Sequence, residues 1–97
     1  MLFAVTNIDK PDSLALRTTT REIHLGYLDS IVAQILFAGP LLNAEGQSIG
    51  SLIVVEAENH AAAEAFAAAD PYAKAGLFES VTIQPYRLVY KDGARVG

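Results

Sequence analysis

The sequence contains no cysteine, no tryptophan and no run of basic residues. Without cysteine the chain cannot form a disulfide, offer a thiolate to a metal or supply a cysteine nucleophile. Lysine and arginine together number 7 against 11 aspartates and glutamates, which gives a net charge of −4. Because a nucleic-acid-binding surface needs clustered positive charge, this composition argues against a nucleic-acid partner.

Long hydrophobic runs and several motifs of catalysis are also absent. The apolar N-terminal stretch reaches Asp9 and Pro11 after a few residues and has no basic leader, so it is too short for a signal peptide or a membrane span. We therefore expect a cytoplasmic protein without membrane contact. The sequence has no glycine-rich phosphate loop, no nucleophile elbow and no metal-ligand spacing, so we predict no metal site.

What the sequence does contain is an unusually large apolar fraction for its length. Of 97 residues, 52% are hydrophobic and only 19% are charged. A chain this short forms one domain, residues 1–97, and buries a smaller share of its surface than a larger protein would. We expect residues 91–97 to be a flexible tail. We also expect a partner subunit to cover part of the apolar surface.

Hydrophobic periodicity and chain breakers predict the order strand, helix, strand, strand, helix, strand. The predicted bounds are 2–8, 21–34, 35–38, 51–56, 60–69 and 78–90. The segment 12–20 is predicted to be irregular because its three consecutive threonines are poor helix formers. This order is typical of a ferredoxin-like α+β fold, a four-stranded antiparallel sheet with both helices on one face.

The predicted third strand indicates what happens on the other face. Residues 52–55 are four consecutive aliphatics, which place apolar side chains on both faces of the sheet. Because the helices cover only one face, we predict a homodimer that packs sheet against sheet, with a cavity at the seam.

The first helix carries a stripe that changes character along its length. At helical spacing it begins with Arg17, Arg21 and His24 and continues with aliphatic residues such as Leu28, so its polar half is predicted to line a pocket. His24 is the leading catalytic candidate, because the ordinary pKa of imidazole lies near working pH. The alternative is a half-buried histidine bonded to a backbone carbonyl.

Asp70 is the candidate partner of His24. A carboxylate bonded to one ring nitrogen would fix the imidazole tautomer and leave the other nitrogen for a substrate. The alternative is a helix cap before Pro71, and the two roles are compatible. Ser51 and Tyr72 are candidate hydrogen-bond donors to a ligand.

Arg17 and Arg21 are candidate binding residues for an anionic substrate group or a developing oxyanion. The alternative for each is a surface charge paired with a nearby acid, such as Asp12 or Glu22. The residues leave both possibilities open.

Several segments together resemble the YCII (YciI-like) family over about residues 1–90. They are Met1–Ala4, Arg21–Leu25, Ala38–Leu41, Gly50–Ser51, Ala69–Tyr72 and Ala75–Phe78. The resemblance implies a dimeric α+β barrel, similar in architecture to muconolactone isomerases. It also implies an active site centred on a histidine and an aspartate, at the positions of His24 and Asp70, and a reaction without a cofactor.

These observations lead to two functional hypotheses. The first is an enzyme that acts on a small, aromatic or enolisable substrate by elimination or isomerisation, with His24 and Asp70 as the catalytic pair. The second is a non-catalytic protein that binds a small metabolite in the same pocket. A structural dimerisation module with a filled site is a third possibility. Fold alone does not choose among them.

Overall fold

The computed structural model describes all 97 residues and contains one four-stranded antiparallel sheet in the order β2-β3-β1-β4. The elements are β1 (Leu2–Asp9), α1 (Leu14–Ser30), β2 (Ile35–Leu42), β3 (Ser48–Glu56), α2 (His60–Ala69), α3 (Pro71–Lys74) and β4 (Phe78–Tyr86). This is the predicted ferredoxin-like α+β fold. None of the helices combines the length and apolar character that crossing a membrane requires.

Helix α1 begins at Leu14, three residues before the predicted stripe starts at Arg17. The prediction of an irregular segment at 12–20 therefore holds only for residues 12–13 and is wrong from Leu14 onward. The hydroxyls of Thr18 and Thr19 donate to carbonyl oxygens one turn back, at 2.9 and 2.8 Å. These side chains are satisfied inside the helix, and propensity is a weak preference that tertiary packing overrides. The packing comes from three buried side chains of this helix, Arg17, Thr20 and His24.

Strands β2 and β3 are longer than predicted. Strand β2 continues through Gly39 and Pro40 to Leu42, and β3 begins at Ser48. Pro40 is tolerated because β2 is an edge strand, so a missing N–H on its free side breaks no ladder bond. Gly50 lies inside β3, which is a central strand, so neither Pro40 nor Gly50 ends its strand here.

The C-terminal segment also differs from the prediction. Strand β4 ends at Tyr86 instead of residue 90, and the chain then forms a two-stranded hairpin of β5 (Tyr90–Lys91) and β6 (Ala94–Arg95). The turn uses Asp92 and Gly93 at φ values of 52° and 77°, a left-handed geometry that favours these residue types. Residues 91–97, which we expect to be a flexible tail, thus include most of this hairpin.

The hydrophobic core lies between the helices and one face of the sheet. Its fully packed members are Phe3, Val5, Ile53, Val55, Ala63 and Ala67, with Leu28 of α1 packed against them. Ala63 is completely buried, so α2 approaches the sheet closely because this position carries only a methyl group. Both helices therefore share one face.

The opposite face of the sheet is apolar and has no helix over it. Strand pairing places Phe37 beside Val54, and Tyr86 beside Leu2, on this face. The two rings meet edge to face with their centroids 6.2 Å apart. Phe37 and Tyr86 remain 41% and 36% exposed, as does Ile8 at 37%, so aliphatic and aromatic side chains do occupy both faces.

His60, at the start of α2, connects that helix to β4. Its Nδ1 lies 2.9 Å from Glu64 Oε1 and its Nε2 lies 3.3 Å from the carbonyl oxygen of Ile83. Both neighbours are acceptors, so the protonated ring satisfies both contacts. The hydrogen bond to Glu64, and secondly the bond to the Ile83 carbonyl, raise the pKa of His60 above its usual value.

The close approach of α2 predicts that Ala63→Leu is destabilising. The added atoms have no space, so the free energy of unfolding should fall by about 1–3 kcal/mol. Urea denaturation measures it, and Ala65→Leu on the exposed side of the same helix is the matched control. Equal unfolding midpoints for the two variants would contradict the close packing.

The contacts of His60 predict a pH-dependent contribution to stability. Because folding raises its pKa, the contribution is fully present below the unfolded value of 6.5 and is lost as pH rises through the folded pKa. The melting temperature of the wild type should exceed that of His60→Gln at about pH 5.5, and the gap should shrink by about pH 8.5. A gap that stays constant or widens with pH would refute the assignment.

Candidate active site

Helix α1 and the β2–β3 half of the sheet enclose a cavity of about 300 Å³. This is the lower end of the range for small-molecule sites. Five of the six predicted site residues line it, together with Thr18, Ser48 and apolar side chains: Arg17, Arg21, His24, Ser51 and Tyr72. The sixth, Asp70, lies behind His24.

His24 and Asp70 are in direct contact. Nδ1 of His24 lies 2.9 Å from Oδ1 of Asp70, and both residues are buried. The same carboxylate oxygen accepts the backbone N–H of Tyr72 at 2.9 Å and thereby caps α3. Asp70, between α2 and α3, therefore has a fixed carboxylate that both caps α3 and holds the imidazole of His24.

This contact determines the proton positions on the ring. A carboxylate only accepts hydrogen bonds, so the proton lies on Nδ1 of His24. Nε2 has no partner within the chain and is not sealed from solvent. In the neutral ring Nε2 accepts a proton, and in the charged ring it donates one, so it can act as a general base and then as a general acid.

Tyr72 fixes the imidazole from the side. Its ring stacks on that of His24 with centroids 4.0 Å apart and planes at 20°, and the Arg17 guanidinium carbon lies 4.6 Å from the same ring. Arg17 and His24 are two helical turns apart, about 10.5 Å along α1. The phenol ring thus fits between the two side chains and holds the plane of the imidazole.

Arg17 is neutralised by an acid that the sequence did not indicate. Its Nε and Nη2 donate to the two carboxylate oxygens of Asp9 at 2.6 and 2.9 Å, and both side chains are buried. Burial lowers the pKa of Arg17, but the hydrogen bonds and charge of Asp9 outweigh it and raise the pKa above its usual value. The alternative of pairing with Asp12 or Glu22 is wrong for Arg17.

Tyr72 keeps its phenolic proton at neutral pH. Burial raises its pKa above the usual value of 10.0, and the charges of Arg17 and Arg21 only partly oppose this effect. A neutral phenol is a hydrogen-bond donor. Tyr72 can therefore donate to a ligand in the cavity.

Asn7 supports Ser51 and was not predicted as a site residue. Its Nδ2 donates to the Ser51 hydroxyl oxygen at 2.9 Å, and both side chains are buried. Because that oxygen already accepts a bond, the Ser51 proton is free to donate into the cavity. The sequence did contain a signal for Asn7. Phe3 and Val5 alternate along β1 toward the core, and Asn7 places an amide at the next inward position.

Arg21 differs from Arg17 and His24, the other two polar residues of the stripe. It lines the cavity, its side chain is 61% exposed, and the one carboxylate within 4.0 Å is Glu22 Oε1, at that limiting distance. The pairing of Arg21 with Glu22, predicted as the alternative, is thus present only at the longest distance of an ion pair.

No group of three or more histidine, aspartate or glutamate side chains lies close enough to hold a metal ion.

Known proteins resemble this chain over nearly its full length. The family model described as a YCII-related domain matches residues 1–87. The chain is 35% identical to Protein YciI of Escherichia coli O6:H1, across 93% of this chain and all of that protein. It is 34% identical, with the same coverage, to an uncharacterized protein of Haemophilus influenzae.

Two solved structures share the fold. One is 5-chloro-2-hydroxyhydroquinone dehydrochlorinase (TftG) from Burkholderia phenoliruptrix, in complex with 2,5-dihydroxybenzoquinone. It is 34% identical, with a TM-score of 0.85 over 90% of this chain and 94% of that one. The other, an antibiotic biosynthesis monooxygenase, is 10% identical with a TM-score of 0.50 over 90% and 99%, and indicates the fold alone. The family match and the near full-length identity establish that this chain belongs to the YCII-related family.

Proposed function

We propose that the protein is a cofactor-independent enzyme that uses His24 and Asp70 for proton transfer on a small organic substrate. The observation that carries this proposal is the buried 2.9 Å contact between Nδ1 of His24 and Asp70, on a histidine that lines the cavity. A general base needs a fixed tautomer and an accessible lone pair, and this arrangement supplies both.

The reaction we propose is elimination or isomerisation of an oxygenated aromatic ring. The dehydrochlorinase that this chain resembles at 34% identity acts on a chlorinated hydroxyhydroquinone, and this supports the same substrate class here. A cavity of about 300 Å³ accommodates one substituted ring. Its apolar wall, which includes Leu25, Leu28 and Ile53, suits the faces of such a ring.

In the proposed elimination, Nε2 of His24 removes a proton from the substrate. The electron pair of the broken bond to hydrogen forms a new double bond in the substrate. The leaving group departs with the electron pair of its bond to carbon. Asp70 accepts the Nδ1 hydrogen bond throughout and stabilises the imidazolium that forms. In an isomerisation, the imidazolium returns the proton to another atom. Ser51 and Tyr72 donate hydrogen bonds to the oxygens of the ring.

A non-catalytic small-molecule-binding protein is the second candidate. It would use the same cavity, since a carboxylate that orients a histidine also serves ligand binding. The third possibility, a dimerisation module with a filled site, is less well supported because the cavity is open. Product analysis separates the first two.

The proposal includes a homodimer formed through the open sheet face. Apolar side chains there remain partly exposed, among them Ile8, Phe37 and Tyr86. An uncovered apolar face of this kind is usually an interaction surface. A second copy would cover it by packing sheet against sheet.

The catalytic proposal predicts a large loss of activity in His24→Gln. Chloride release from 5-chloro-2-hydroxyhydroquinone should fall about 10²–10⁴-fold, the usual value of general acid–base catalysis. Asp70→Asn should lose about 10–100-fold and remain folded, because asparagine also caps helices. The control His60→Gln should keep full activity. Wild-type binding of 2,5-dihydroxybenzoquinone without turnover of the chlorinated compound would favour the binding protein.

The dimer proposal predicts that Phe37→Glu separates the subunits. A charge on the open face would be buried without a partner in the dimer. Sedimentation velocity should report the mass of two chains for the wild type and of one chain for the variant. Ile23→Glu is the control, because Ile23 is an exposed isoleucine of α1. A monomeric wild type would refute the dimer.

A further inference from the structure

We infer that the cavity selects a small organic monoanion and that Arg21 binds its charged group. The inference rests on the proposed function, because it names the substrate class of the same site. It assigns Arg21 and Arg17 different roles.

The first observation is the sign of the charges around the cavity. Arg17, Arg21 and His24 line it, and no aspartate or glutamate does. The whole chain carries a net charge of −4, so a cavity lined by two guanidinium groups and no carboxylate differs in sign from the protein as a whole. A concave site lined by one sign of charge raises the local concentration of ligands of the other sign.

The second observation is that two of these three groups already have a carboxylate. Arg17 forms a buried bidentate pair with Asp9, at 2.6 and 2.9 Å. His24 is bonded to Asp70 at 2.9 Å. The buried charge of Arg17 needs its partner, and Asp70 holds Nδ1 of His24, so neither side chain is free to pair with the charge of a ligand.

Arg21 is the exception. Its nearest carboxylate, on Glu22, lies 4.0 Å away, and the two side chains are 61% and 89% exposed. An exposed pair at this distance contributes little and is screened by salt. Arg21 is therefore the one guanidinium of the cavity without a close carboxylate, which matches a ligand with one negative group.

The position of Arg21 connects charge recognition to the proposed chemistry. It precedes His24 by three residues, so both lie on one face of α1, about 4.5 Å apart along the axis. A planar guanidinium binds a carboxylate or enolate oxygen pair through two parallel N–H groups. An anionic group held there would place the neighbouring carbon atoms of a ring near Nε2 of His24.

Two probes of equal size test the inference. We would titrate the full-length protein with 4-hydroxybenzoate and with the neutral 4-hydroxybenzamide, and follow the amide NMR signals of the cavity residues. The wild type should bind the anion about tenfold more tightly, and added salt should reduce this preference.

Variants of Arg21 identify the group responsible. The preference should disappear in Arg21→Gln and persist in part in Arg21→Lys, which keeps the charge and loses the planar fork. Arg87→Gln is the matched control, because it changes the net charge equally at an exposed position outside the cavity. Equal affinity for the two probes, an unchanged preference in Arg21→Gln, or no response of the cavity signals to either probe would overturn the inference.

The binding experiment and the activity assay can give independent results, so they distinguish failure of the monoanion inference from failure of the catalytic proposal. Chloride release that depends on His24, combined with a preference unaffected by Arg21→Gln, would overturn only the monoanion inference. Anion preference that depends on Arg21, without turnover of the chlorinated substrate, would overturn only the catalytic proposal.

Discussion

The insertion of Tyr72 between Arg17 and His24 is the contact on which the candidate site depends. The ring lies 4.0 Å from the imidazole and 4.6 Å from the guanidinium carbon, so it fixes the break after α2 against two turns of α1. Asp70, two residues before it, then meets Nδ1 of His24. The Tyr27 hydroxyl also donates to the carbonyl oxygen of Phe66 at 2.9 Å and joins α1 to α2. Together these contacts hold the carboxylate and the imidazole, which lie on separate elements, at a fixed distance.

The same arrangement explains how an acidic protein holds two arginines and a histidine along one helix face. A buried charge is costly unless it is paired and hydrogen-bonded. Asp9 at the end of β1 pairs with Arg17, and Asp70 pairs with His24. The partners come from outside α1, so the fold itself stabilises the charged stripe. Of the three side chains, only Arg21 is largely exposed, at 61%.

The shared fold of these proteins does not identify the reaction that any one of them catalyses. A monooxygenase with 10% identity shares the sheet and helices, and this architecture serves unrelated reactions. The dehydrochlorinase is similar in sequence as well, at 34% identity. The chemistry of this chain must therefore be argued from the dyad, the cavity and its charges.

The fold class, the helix over 60–69 and five of the residues that line the cavity were predictable from the sequence alone. Apolar periodicity and chain breakers are local signals, and the polar start of the α1 stripe was visible at helical spacing. The prediction from sequence misplaced the start of α1, because it weighed three threonines by propensity and could not include the packing of Arg17, Thr20 and His24.

The contact partners of the site residues were visible only in the folded structure. Asp9 pairs with Arg17, Asn7 holds Ser51, and Tyr72 stacks on His24. The last two pairs join residues more than forty positions apart, and the first crosses from a strand to a helix. Distances of this kind depend on how the elements dock, and no local periodicity of the chain encodes them.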